Sequence, residues 1–130
     1  MTEPLSPLSV ANWFIIKANS QGKYLTSPII QKLVYLSDVW CNHLYKVSLL
    51  NSSYEKKLYG PVYQDIYNES ICYGTDEIKS LLSVDIISGQ DPRISLLERI
   101  WEVYGEYTFF QLSKIVLEGS GKIITPFHNI

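Results

Sequence analysis

A chain of 130 residues, 46% of them apolar and 18% charged, is long enough to bury a core without disulfide or metal staples and is not the composition of a disordered or fibrous protein. Thirteen acidic residues against eleven basic ones leave a net charge of −2. No Lys/Arg cluster extends beyond Lys56-Lys57, which argues against a nucleic-acid partner, because phosphate binding needs a basic stripe.

In chain order, residues 1–7 hold two prolines, and Ser6-Pro7 or Ser9 opens a first helix. Val10, Trp13, Phe14 and Ala18 recur at the spacing of one buried stripe, and Gly22 stops it. Lys23-Tyr24-Leu25 runs extended into Thr26-Ser27-Pro28, where Ser27 suits a cap and Pro28 the first helical position. The second helix, Pro28 to about Tyr45, is the longest expected: Ile29/Ile30, Leu33, Leu36/Ser37, Trp40 and Leu44 keep the helical period. Its flank of Gln31, Tyr35, Asp38, Asn42 and Tyr45, with Lys32 at the edge, is expected to face solvent or a partner.

Helical period is lost over 46–58. Asn51-Ser52-Ser53 reads as a turn, and Tyr54 to Tyr59 as a segment able to pair briefly as a strand. Gly60-Pro61 then reads as a structural turn, since Gly before Pro is biased away from the helix and Pro61 suits the first turn of a third helix. That helix displays Tyr63 and Tyr67 four apart and ends at Gly74. Residues 81–87 alternate enough to be either a short strand or a loop packed on the core. Asp91-Pro92 opens a fourth helix with Ile94, Leu97, Ile100/Trp101 and Tyr104 buried, ending at Gly105. Thr108-Phe109-Phe110-Gln111 matches a capping box for a fifth, with Leu112, Ile115 and Val116 as its core face and Gly119 and Gly121 closing it. The tail, 122–130, reads as a strand-like or docked arm. The fold class is therefore mainly α (α+β), a bundle of about five helices with a small, short-stranded sheet element, in one domain over 1–130.

Catalytic chemistry finds no support. Cys41 and His43 stand about 200° apart around a helix, so they form no dyad with each other, and His128 has no supporting constellation. No phosphate loop, nucleophile elbow or zinc spacing is present. No enzyme activity, cofactor or metal is expected. Two cysteines, Cys41 and Cys72, make no disulfide framework and favour a reducing, cytoplasmic setting. With no basic-then-apolar start and no stretch of about 20 apolar residues, neither an export signal nor a membrane anchor is expected.

Ten tyrosines and three tryptophans spread along the chain. Tyrosine joins apolar area to a polar tip and suits either the edge of a core or a partner-binding surface. The candidate partner-binding residues are Lys32, Tyr35, Tyr59, Tyr63 and Tyr67, grouped around Gly60 and Pro61. Against this stand a solvated face for Lys32 and a core edge for the tyrosines.

The order of segments carries a resemblance. Ser9-Val10-Ala11-Asn12-Trp13-Phe14, then Leu25-Thr26 through Gln31-Lys32-Leu33-Val34-Tyr35, then Tyr59-Gly60-Pro61-Val62 with Tyr67, then Leu97 to Tyr104-Gly105 and Leu112-Ser113 resemble the Panacea domain, the family of SocA/GepA-like antitoxin proteins. Its pattern has a VANYF helix, an LT…LQKLLYY helix, a YGPV turn and a late W..YG…L pair of helices. The chain departs at Gln64, where the family often has proline, at Lys57, where it often has tryptophan, and over 115–121, which lacks the late Thr-His and Pro-Trp. The resemblance implies a largely helical fold and a role in neutralising a toxin by protein–protein contact, some members delivering the toxin to a protease. The partner implied is a cognate toxin, with or without a protease. The alternative is a diverged Panacea-fold interaction or adaptor protein, of phage, secreted or host-interacting type, without an antitoxin role.

Overall fold

The computed structural model describes residues 3–58, 60–80 and 86–118. Helix α1 (Pro7–Ser20) begins at its serine cap: Ser6 is extended, its Oγ accepts from the Ser9 amide at 3.0 Å, and Pro7 opens the helix, where its missing N–H breaks no bond. Val10, Ala11, Phe14, Ile15 and Ala18 are buried, a broader stripe than the period alone implies. Trp13 packs edge-on to Phe14 with ring centroids 5.2 Å apart.

Helix α2 (Ser27–Tyr45) is the longest and runs through the middle of the molecule. Its cap position is Thr26, not Ser27, whose hydroxyl instead meets that of Ser70 at 2.9 Å. Ile30, Leu33, Val34, Leu36, Ser37, Trp40 and Cys41 are buried, but Leu44 is 43% exposed. The core thus ends one turn before the helix does: all of residues 42–45 are exposed. Lys46 closes α2 in the left-handed conformation, its amide donating to the Asn42 carbonyl.

Strands β1 (Glu55–Lys57) and β2 (Gly60–Val62) form an antiparallel hairpin with Glu55 opposite Val62, Lys56 opposite Pro61 and Lys57 opposite Gly60. This corrects the expectation for Gly60 and Pro61. They are not the turn into a helix but a strand, and the reversal falls between Lys57 and Gly60. Gly60 has φ +120°, which a side chain rarely adopts, and proline's φ suits an edge strand as well as a helix start. Helix α3 (Gln64–Ser70) begins three residues after Pro61 and passes into a 3₁₀ turn, Ile71–Tyr73, that Gly74 ends at φ +58°.

Helix α4 (Ile94–Tyr104) also starts later than Asp91-Pro92 suggests. Asp91 folds a turn ahead of it, accepting the Arg93 amide at 2.9 Å and its guanidinium at 2.8 and 3.0 Å. Leu97, Ile100, Trp101 and Tyr104 fill the core as their spacing requires. The capping box of α5 (Phe109–Glu118) forms as read: the Gln111 amide donates to Thr108 Oγ1 at 3.2 Å, and the Thr108 amide donates to Gln111 Oε1 at 2.8 Å. Residues 81–85, most of the segment expected to be either a short strand or a packed loop, and the tail beyond 118, with its expected stop and arm, lie outside the described residues. Among those described, the architecture is five helices and one two-stranded sheet, mainly α with a minor sheet.

Candidate partner-binding surface

The start of α2 holds the hairpin in place. The Gln31 side chain accepts from the Tyr63 amide at 2.9 Å and donates to the Tyr63 carbonyl at 3.2 Å, the exchange a neighbouring strand would make. One residue on, Lys32 is only 2% exposed. Its ammonium lies 4.7 Å from the Phe109 ring centre, and burial lowers its pKa. Gly60 passes beside it so closely that a Cβ would stand 3.3 Å from Lys32 Nζ. The expected solvent-facing flank of α2 is therefore interior at Gln31 and Lys32. Long-range partners make the burial of these polar groups tolerable.

Tyr63 and Tyr67, displayed together in the sequence reading, part company. Tyr63 is 1% exposed, so it is core rather than contact surface, because β2 turns it inward before α3 begins. Its hydroxyl has no hydrogen-bond partner among the described residues. Burial first, then the charge of Asp38 and the neighbouring Tyr35 and Tyr54, raise its pKa strongly. Tyr35 is half-buried and meets Tyr54 edge-on at 5.0 Å, and Tyr54 meets Tyr63 at 6.0 Å. Asp38, one turn along α2 from Tyr35, accepts the Leu49 amide at 2.9 Å. Burial still raises its carboxyl above the ordinary range, over the lowering effect of the Leu49 and Leu50 backbone bonds. Tyr59 lies outside the described residues. Nothing local in the sequence marks Tyr54 as a member of this cluster, whereas Asp38 was visible on the α2 flank.

Tyr67 is 47% exposed and lies in a groove of about 380 Å³ between the start of α2, the hairpin and the end of α3. Lys57, Pro61 and Val62 form one side, and Tyr67, Ser70 and Ile71 the other. Ile71 is 56% exposed, and Leu58, beside Lys57, is 83% exposed. Sequence reading missed both, although Ile71 stands four residues after Tyr67. Cys41 is buried, its thiol pKa raised by burial, while His43 is exposed and edge-on to Trp40. His128 lies outside the described residues. Among the described residues no three His, Cys, Asp or Glu gather as a metal site, and no helix is long and apolar enough to cross a membrane.

The structure is thus a helical domain whose central helix bonds to the backbone just past the hairpin, with an apolar groove beside that contact. The family model of the antitoxin SocA-like Panacea domain matches residues 30–120, from the first turn of α2 past the end of α5. The chain belongs to that family and is antitoxin-like in this general sense. No curated protein and no solved structure matches it.

Proposed function

We propose that this protein neutralises a toxin by direct contact, masking it with the groove beside the hairpin, and that it acts in the cytoplasm as a binding module, not as an enzyme. The observation that carries this reading is the exposed apolar edge of the groove, Tyr67 and Ile71. Grouped apolar surface in a concave site favours protein contact, and a protein partner such as a toxin is what membership of an antitoxin family suggests. Delivery of the captured toxin to a protease is a further step within the same proposal.

A second reading, a Panacea-fold adaptor without an antitoxin role, draws on residues 115–121, which lack the late Thr-His and Pro-Trp. Co-expression with the product of the adjacent gene separates the two. The antitoxin reading expects growth to be rescued from a toxic neighbour and the two proteins to co-purify. A harmless neighbour that leaves no trace in the purified material would overturn it.

A further inference from the structure

A second depression, of about 350 Å³, opens further along the same flank of α2, lined by Tyr35, Asp38, Val39, Asn42, His43 and Tyr54. Two tyrosine rings stand at right angles, 5.0 Å apart, beside a carboxylate. Asp38 has no ion pair among the described residues. Its hydrogen-bonded neighbours are the Leu49 amide and, at the 3.5 Å limit, the Asn42 side-chain amide, with a further backbone bond from Leu50. All of these are neutral. A half-buried carboxylate whose hydrogen bonds come from neutral groups, with no ion pair among the described residues, keeps its charge available to an incoming cation.

We propose that this depression receives an arginine side chain of a protein partner, its guanidinium over the exposed Tyr54 ring and against the Asp38 carboxylate. Aromatic faces attract a cation, and a planar guanidinium both stacks on rings and donates to a carboxylate. Charge complementarity selects a cation. The openness of the site selects one carried on a chain, because a free small ligand of useful affinity is mostly enclosed by its pocket. Tyr54 and His43, both exposed, leave the approach open from solvent. The inference is independent of the groove beside the hairpin and holds for any basic protein partner.

The test uses the full ¹⁵N-labelled chain and three probes: the peptide acetyl-Gly-Arg-Gly-amide, the same peptide with neutral citrulline in place of arginine, and tetramethylammonium chloride. Saturable amide shifts at Tyr35, Asp38, Asn42 and Tyr54 are expected with the arginine peptide and none with citrulline. Asp38→Asn and Tyr54→Leu should each weaken binding at least about tenfold. Asparagine keeps an oxygen for the Leu49 amide; if that variant nonetheless fails to fold, Tyr54→Leu decides. Equal shifts with citrulline, unchanged binding in the folded variants, or tighter binding of tetramethylammonium than of the arginine peptide would each overturn the proposal, the last by showing a pocket for free cations.

Discussion

Gly60 concentrates two constraints at one residue: φ of +120° and a Lys32 ammonium where a Cβ would need space. Gly60→Ala is expected to cost about 1–3 kcal/mol, the usual range for a side chain forced into such backbone, read as a lower urea midpoint at unchanged slope. Two carboxylates should give opposite pH signatures. The hydrogen bond from Arg93 lowers the pKa of Asp91, so the unfolded chain takes up that proton more readily than the folded one. Its contribution is therefore present above the unfolded value of about 3.9 and is lost as pH falls through the folded pKa. Burial raises that of Asp38, so the folded state holds the proton more tightly, and stability declines as pH rises from the unfolded value through the folded one. Urea midpoints measured across acid to neutral pH should show a shallower acid loss for Asp91→Asn, and a gain for Asp38→Asn on the neutral side relative to the acid side. At the groove, if the proposed partner contact is made there, Tyr67→Ala or Ile71→Ala should weaken partner binding by about 1–2 kcal/mol or more, as buried interface anchors do, with melting nearly unchanged. Calorimetric titration beside a thermal melt checks this, and a lost melt with intact binding would move the residue into the core.

At the scale of elements, what could be read from sequence was what is decided locally. Ser6-Pro7, Thr108 with Gln111, and the Ile100/Trp101 stripe depend on neighbours within a turn, and each forms as its spacing requires. Thr108→Ala or Gln111→Ala should each cost about 0.5–2 kcal/mol, seen as a lower urea midpoint and as faster amide exchange confined at first to α5. The hairpin was not legible in the same way. Whether Gly60-Pro61 enters a helix or a strand depends on pairing with residues 55–57 and on the clamp from Gln31, both non-local. The same non-locality hid Lys32 and Gln31, whose polar character signals solvent until Phe109 and the Tyr63 backbone supply partners from elsewhere in the chain. Of the candidate surface, Tyr67 was nominated by type and reaches the groove. Tyr63, nominated by the same argument, is core, because the helix carrying that argument begins at Gln64.

Across the molecule, α2 touches α1, α3, α4, α5 and β2, so it cannot open without opening every helix interface it makes. Its buried amides, from Ile30 to Cys41, should exchange only by global unfolding and show the highest protection in the chain, with the exposed last turn, residues 42–45, exchanging sooner. Native-state hydrogen exchange against urea measures this; a lower plateau for α2 than for α4 would contradict it. The clamp between Gln31 and Tyr63 has one further consequence, for behaviour at high concentration. A lone hairpin ordinarily offers rails to which another chain can add a strand, the first step of aggregation. Here Gln31 takes both backbone groups of Tyr63, Pro61 has no donor to offer, and Glu55, Lys56 and Lys57 expose charge along β1. A single glutamine thus helps keep a short sheet from recruiting copies of itself.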